Sequence, residues 1–210
     1  MFVIIADQIG SSTDTDRVAG ALHDLTARFG THYPLAPERT AGDELQAMTY
    51  EAAAALDTTL LLLRAPHWRV GIGVGTVRMP LPASIREASG PAFVAARAGI
   101  EQATRRTTRF SIVASGGAAP RGDQAGALVD LLLTQRARWS AAGWQLHDLL
   151  EAGLTQAEAA ERLGVTPQAT SKRARAAALR IDSDARRALT LLLADLGATV
   201  EEPPPEGEST

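Results

Sequence analysis

The stretch FVIIADQIGSS, residues 2–12, decides how the chain begins to fold. Its first five residues are apolar, and so short an apolar run is typical of a buried strand rather than a helix. Asp7 ends this strand, and a loop of small residues that includes Gly10, Ser11 and Ser12 follows it. We therefore expect a buried strand that carries a carboxylate to its tip and then enters a helix through a glycine and serine loop.

The apolar patterns that follow predict an α+β first half. Apolar residues recur at helical spacing over residues 14–29, and the segment around Gly42 and Asp43 is typical of a hairpin with carboxylates at its tip. Further helices are predicted at 51–64 and 90–102, and further strands at 68–78 and 109–115. We interpret this half as a βαββαβ domain.

The second half predicts helices alone. Their expected positions are 127–139, 143–152, 155–163, 167–179 and 183–196. We therefore predict an α+β domain at 1–115, a turn-rich linker at 116–126 and a helical domain at 127–198. The acidic, proline-containing segment 199–210 has almost nothing to bury and is expected to be a disordered tail.

Composition limits the classes of function. The net charge of −3 gives no overall attraction to nucleic acid or membranes, so a basic surface has to be local. The absence of cysteine excludes disulfides and thiolate zinc sites, and the four histidines lack metal-ligand spacing. The apolar runs are too short for a membrane span, so we expect a cytoplasmic protein with no membrane partner.

Two aspartates suggest a cation site. Asp7 ends the first strand and Asp43 lies at the hairpin tip, so a sheet that pairs these strands brings both carboxylates to one end. Carboxylate oxygens suit Mg²⁺ or Mn²⁺, and the backbone N–H groups of Gly10, Ser11 and Ser12 at a helix start suit phosphate. The alternative is that Asp7 caps a helix and that Asp43 serves only the turn.

Residues 149–180 have the pattern of a helix-turn-helix. Thr155 and Glu158 have the spacing of a capping box, and Thr166 followed by Pro167 is a strong signal for the start of a second helix. The second helix carries cations and no acid before Asp182.

This second helix suits double-stranded DNA. Its polar residues suit base edges and its arginines suit phosphates. The candidate DNA-binding residues are Gln168, Thr170, Ser171, Lys172, Arg173 and Arg175. The alternatives are a helical hairpin with a solvated charged face and a protein-binding module.

Four motifs in order resemble known families. ADQIGSS (6–12), RTAGDELQAM (39–48), WRVGIGVGTV (68–77) and GPAFVAARAGIEQA (90–103) resemble the motifs of class III nucleotidyl cyclases. The second motif also resembles the turn of diguanylate cyclases. Over the whole chain the sequence resembles the SatD family, whose members often carry a C-terminal helix-turn-helix.

The resemblance implies a ferredoxin-like, cyclase-type palm domain and a set of roles. Asp7 and Asp43 match metal ligands, and Arg97 matches the arginine that stabilises the transition-state phosphate. Arg39 and Glu87 correspond to positions that read a purine base. One departure is Phe93, which replaces the asparagine that positions the ribose; this argues against cyclisation by the standard geometry.

Together these features favour a DNA-binding transcriptional regulator whose first domain binds a purine nucleotide with Mg²⁺ or Mn²⁺. The resemblance and the pairing habit of helix-turn-helix proteins imply a homodimer. An alternative is an active metal-dependent nucleotidyl transferase or cyclase with a DNA-binding appendage. A third reading makes the first domain a structural dimeriser that has lost its ligands.

Overall fold

The chain is an α+β protein with a mixed sheet. A computed structural model describes residues 1–10, 15–40 and 42–201. Within these ranges one sheet contains five strands: β1 (Phe2–Gln8), β2 (Glu38–Arg39), β3 (Glu44–Thr49), β4 (Trp68–Val74) and β5 (Phe110–Ala114). The predicted α+β class of the first half is confirmed.

The sheet has β1 at its centre. The strand order is β2-β3-β1-β4-β5, with β1 antiparallel to both β3 and β4 and with β4 parallel to β5. A central strand is covered on both faces and reads as a continuous apolar run, which is what the buried residues of β1 form. The tip of β1 thereby lies between two neighbouring strands that present their own side chains beside Asp7.

Eight helices occur in the described part of the chain. They are α1 (Val18–Phe29), α2 (Ala52–Leu63), α3 (Pro91–Ala103), α4 (Ala119–Arg136), α5 (Ala141–Glu151), α6 (Gln156–Leu163), α7 (Pro167–Ala176) and α8 (Leu179–Glu201). None of them has the length and apolar character that crossing a membrane requires. Two compact units are resolved: a sheet unit, residues 1–130 and 189–210, and a helical unit, residues 131–188.

Helix α3 packs closely on the sheet because β4 alternates glycine with apolar residues. A Cβ built on Gly73 would lie 2.0 Å from the carbonyl oxygen of Ala92, and one on Gly71 would lie 2.2 Å from the amide nitrogen of Ile100. The glycines of β4 therefore admit a helix backbone rather than a ligand. The apolar cluster on this face consists of Met1, Val3, Ile5, Met48, Ile85, Ala92, Ala96 and Ile100.

The segment 116–126 is not the linker that its composition suggests. It forms a short 3₁₀ turn at Gly116–Ala118 and then the first turns of α4. Its glycines serve close packing: a Cβ on Gly122 would lie 3.1 Å from the Cβ of Ala114 in β5, and one on Gly126 would lie 2.9 Å from Ile112. The glycines that suggested turns thus let a helix approach a strand.

The helical unit is built around α5, α6 and α7. Its buried core consists of Trp139, Leu146, Ala159, Ala177 and Leu179. The helix predicted at 167–179 ends earlier, at Ala176, because Ala178 adopts a left-handed conformation with φ of 50°, and α8 begins directly after it. Residues 199–201 of the predicted tail belong to α8, and residues 202–210 lie outside the described part.

Candidate functional site

Asp7 lies in a row of charged residues across three strands. Asp7 is directly opposite Glu44 of β3 and Arg69 of β4, and directly opposite residues share one face of a sheet. One Arg69 guanidinium nitrogen, Nη1, donates a hydrogen bond of 3.0 Å to Oδ2 of Asp7. The apolar face that β1 shares with α3 thus becomes charged at the end of the strand.

Glu44 is the most highly coordinated carboxylate of this row. Arg97 of α3 donates to both of its oxygens, from Nη1 to Oε2 and from Nη2 to Oε1 at 3.0 Å. Thr40 adds a hydroxyl donor at 2.6 Å, and Gln46 adds a side-chain amide at 3.3 Å. Because Glu44 is buried, these donors replace the water that its charge requires. Both Nη atoms of Arg97 therefore donate to a carboxylate of the same chain.

The two carboxylates of the row have opposite pKa shifts. Burial raises the pKa of Asp7; the hydrogen bond from Arg69 opposes this effect, while the charges of Asp43 and Glu44 add to it. Burial also opposes ionisation of Glu44, but the hydrogen bonds from Arg97 and Thr40 outweigh it and lower the pKa. The hydrogen bond from Arg69 thus does not offset the burial of the Asp7 carboxylate, whereas the hydrogen bonds from Arg97 and Thr40 do offset the burial of Glu44.

The structure brings Asp43 close to Asp7. The backbone amide of Gln8 donates to the carbonyl oxygen of Asp43 at 3.0 Å, so the tip of β1 and the turn before β3 are joined. The charge of Asp43 acts on the ionisation of Asp7 across this short separation. Asp7 and Asp43, the two predicted metal ligands, therefore lie at the same end of the sheet.

The predicted phosphate loop is only partly described, and its described part differs from expectation. Gly10 is exposed with φ of 71°, whereas Ser11 and Ser12 lie outside the described residues. Helix α1 begins at Val18, and the Val18 amide donates to the Asp16 carboxylate at 3.0 Å. The prediction that Gly10 opens this helix is therefore wrong, because α1 begins at Val18, where the Val18 amide already has an acidic partner.

The buried side chain of Gln8 joins the strand end of this loop to its helix end. Its amide nitrogen donates to the carbonyl oxygen of Thr15 at 2.8 Å, and its amide oxygen accepts from the backbone amide of Arg17 at 2.8 Å. Both hydrogen bonds join the tip of β1 to the entry of α1. Gln8 therefore holds the described ends of the loop together.

The predicted base-reading residues lie in neighbouring segments. The guanidinium of Arg39 donates to the Asp16 carboxylate at 2.6 Å and to the carbonyl oxygen of Gly42 at 2.8 Å. The segment containing Glu87 lies against β2 through two hydrogen bonds: Ser84 to Glu38 at 2.7 Å, and Arg86 to Thr40 at 2.9 Å. The Glu87 side chain itself is exposed.

Phe93 packs beneath α3. Its ring is partly buried and packs against the apolar cluster under α3. A phenyl ring offers no hydrogen bond to a ribose hydroxyl.

The helix-turn-helix pattern forms as the caps predict. Thr155 and Glu158 form the capping box at the start of α6, and Gly164 ends α6 in a left-handed conformation with φ of 63°. Thr166 then caps α7, where Pro167 occupies the first turn. The predicted helix, turn and helix are confirmed for these residues.

The candidate DNA-binding residues differ in accessibility. Gln168, Lys172 and Arg175 are exposed, and Ser171 and Arg173 are half-buried. Thr170 is buried, with 1% of its surface exposed, and its hydroxyl donates to the carbonyl oxygen of Thr166. The prediction that Thr170 contacts DNA is wrong, because this side chain packs inside the helical unit.

Sequence reasoning missed Glu44 and Arg69. Glu44 lies within the motif RTAGDELQAM, but the pattern gave no sign that its partner is Arg97, 53 residues away. Arg69 follows Trp68 at the start of β4 and becomes visible only through the strand register. The alternation of β4 predicts which face Arg69 occupies, but it does not predict that Asp7 lies opposite.

Within the described ranges, no group of three or more histidine, cysteine, aspartate or glutamate residues is arranged to hold a metal ion. No family model, no curated protein and no solved structure matches the chain.

Proposed function

We propose that this protein is a DNA-binding regulator that contacts duplex DNA through α7. The observation that supports the proposal most directly is the capped α6–turn–α7 arrangement with cations on an exposed helix face. Gln168, Lys172 and Arg175 are spaced by four and three residues, so they project from one side of α7. A helix of this kind fits the major groove of B-form DNA.

The charge of the helical unit supports this assignment. Residues 131–188 contain nine lysines and arginines and six acidic residues, which gives a net charge of +3 in a chain whose total is −3. Lys172, the one lysine of the chain, lies on this exposed face. A locally cationic surface is what binding to a polyanion requires.

For the sheet unit we propose a ferredoxin-like, cyclase-type palm that binds a purine nucleotide. Support comes from the central position of β1 in the sheet and from the position of Asp7 and Asp43 at the end of this strand. Carboxylate oxygens are ligands suited to Mg²⁺ or Mn²⁺, and phosphate oxygens would complete such a shell. The donor chemistry of Asp7 and Asp43 fits that cation, and Arg39 and Glu87 would face the base. The whole-chain architecture is then that of a SatD-like protein, and we propose that it acts as a homodimer.

A second candidate is an active metal-dependent nucleotidyl transferase. The observation that favours it is that the Arg69–Asp7 and Arg97–Glu44 pairs lie side by side across three strands, since phosphoryl transfer depends on positioning and charge compensation. Phe93, which has no group to hydrogen-bond a ribose hydroxyl, disfavours cyclisation. The resulting expectation is nucleotide transfer or binding without a cyclic product.

DNA binding is tested by fluorescence anisotropy with a labelled genomic duplex library at low salt. The double variant Gln168→Ala/Lys172→Ala should bind at least ten-fold more weakly than the wild type, because it loses a base-edge group and a cation. Arg138→Ala is the matched control, since it removes an exposed cation of the same unit outside the helix-turn-helix. Equal losses in the two variants, or no duplex affinity in the wild type, would contradict the proposal.

Catalysis is tested by incubation with each nucleoside triphosphate and Mg²⁺ or Mn²⁺, with pyrophosphate release and product mass as readouts. Release that disappears in Asp43→Ala supports the transferase. Nucleotide binding without release supports the regulator, and binding that Asp43→Ala leaves unchanged contradicts the proposed site.

A further inference from the structure

Helices α4 and α8 expose an unusual share of the large apolar side chains. Eight large hydrophobic residues are exposed in the part of the chain that the structure describes, and four of them are leucines of these two helices. They are Leu128, Leu131, Leu191 and Leu192, whose exposed fractions are 43%, 67%, 68% and 45%. Exposed apolar side chains that are concentrated in this way are typical of an interaction surface.

Within the sheet unit, α4 and α8 line one groove. Ala125 and Leu128 of α4 contribute to it together with Leu192 and Leu196 of α8. Ala125 and Leu196 are buried and form its floor, whereas Leu128 and Leu192 are exposed and form its sides. A buried apolar floor between two exposed leucines is suited to receive an apolar side chain of a partner.

The same groove has two charged residues of opposite sign. Arg121 of α4 and Asp195 of α8 both line it, and both are exposed. The Arg121 guanidinium donates to the neutral hydroxyl of Thr199 at 2.6 Å, and the Asp195 carboxylate forms no ion pair with any residue that the structure describes. A partner that compensates both charges needs an acid and a base beside apolar residues, which is what this surface itself presents.

We infer that a second copy of this chain covers the groove through a two-fold interface. In such an interface both copies use the same patch, so a contact from one residue to another occurs twice. Arg121 of each copy then pairs with Asp195 of the other, beside the leucines of α4 and α8. The inference rests on the proposed homodimer and names the residues that form its interface.

The first test measures the dimer dissociation constant of the full-length protein by sedimentation equilibrium. Leu192→Asp should raise this constant on the order of 100-fold, because it introduces an unpaired charge twice into one two-fold interface. Val94→Asp is the matched control. Val94 is 73% exposed on α3 and does not line the groove, so the same kind of substitution there should leave the constant unchanged.

A charge exchange distinguishes a second copy from any other occupant of the groove. In a dimer of one variant, Arg121→Glu or Asp195→Arg brings like charges together at both contacts, which should raise the dissociation constant on the order of ten-fold. An equimolar mixture of the two variants should regain the wild-type constant, because both contacts of the mixed dimer then join opposite charges.

A mixture that dimerises as weakly as each variant alone would overturn this interface. A dimer that Leu192→Asp leaves intact, or that Val94→Asp weakens equally, contradicts the assigned surface while the proposed homodimer stands. A wild type that stays monomeric contradicts the homodimer itself, and the anisotropy assay judges DNA binding separately. Circular dichroism of each variant shows whether it has folded.

Discussion

The sheet unit and the helical unit use their charged residues differently. In the sheet unit, acids and arginines from distant parts of the chain pair with one another, as Asp7 does with Arg69 and Glu44 does with Arg97. In the helical unit, Lys172 and Arg175 of α7 are exposed, while Arg136 and Asp182 form a buried ion pair. A ligand that replaced one of these pairs in the sheet unit would have to compete with an internal partner, whereas Lys172 and Arg175 of α7 are accessible from solvent.

The largest effect is expected at the buried pair of the helical unit. Arg136 donates to both oxygens of Asp182, at 2.7 and 2.6 Å, and its guanidinium lies 5.3 Å from the Trp139 ring centroid. Asp182→Ala leaves Arg136 buried without a counter-ion and should lower the free energy of unfolding by about 3–5 kcal/mol. Chemical denaturation measures this loss.

The control for this variant is an exposed pair of the same unit. Asp184→Ala removes the partner of Arg187, and both side chains are largely exposed. Its cost should be about 0–1 kcal/mol. If Asp182→Ala and Asp184→Ala lower the free energy of unfolding equally, burial does not determine how much an ion pair contributes to the stability of the helical unit.

A second large effect is expected where α3 meets β4 in the sheet unit. A Cβ on Gly73 would lie 2.0 Å from the Ala92 carbonyl oxygen and 2.2 Å from the Ala96 amide nitrogen, both of which are backbone atoms. Gly73→Ala should therefore lower the free energy of unfolding by about 3 kcal/mol.

Gly20→Ala provides the contrast for Gly73→Ala. Gly20 is exposed within α1 and a Cβ there meets no atom within 4 Å, so this variant should gain about 0.5–1 kcal/mol. If Gly73→Ala leaves the free energy of unfolding unchanged in the same assay, the close packing of α3 on β4 does not require glycine at this position.

A smaller, pH-dependent effect is expected at Glu44. Its pKa lies below the ordinary value in the folded protein, so ionised Glu44 stabilises the fold above about pH 4.5, and this contribution is lost as the pH falls through the lowered pKa. Glu44→Gln should be less stable than the wild type by about 1 kcal/mol at pH 7, and the difference should shrink toward pH 3. Denaturation at several pH values checks this.

Asp7 should show the opposite dependence on pH. Because its pKa is raised in the folded protein, the favourable contribution of the protonated carboxyl is present at low pH and is lost as the pH rises through that raised pKa. Asp7→Asn should therefore gain on the wild type as the pH rises. A stability difference that changes in the same direction for both variants would contradict the contrast between the two carboxylates.

The two units also differ in how far their sequences predict them. The helix-turn-helix depends on neighbours in sequence, so the caps at Thr155, Glu158 and Thr166 predict both helix starts. Arg69 and Arg97 meet their carboxylates through strand register and helix packing, which span 62 and 53 residues and leave no local pattern.

The wrong predictions for the segment 116–126 and for Thr170 also arise from contacts between residues that are distant in sequence. The composition of 116–126 predicts turns because glycine is ambiguous between a turn and a close approach. Only the neighbouring strand β5 shows that Gly122 and Gly126 serve close approach. Sequence alone does not separate Thr170 from the exposed residues of α7, because its position on the inner side depends on which face α5 and α6 cover.

The division between the two units is tested most directly by hydrogen–deuterium exchange of the full-length protein with and without saturating duplex DNA. The account predicts slower exchange on DNA binding at the turn and first half of α7, residues 164–172, and unchanged exchange in the turn that carries Asp43. Protection of the sheet edge around Asp7 and Asp43 with no change in α7 would contradict it.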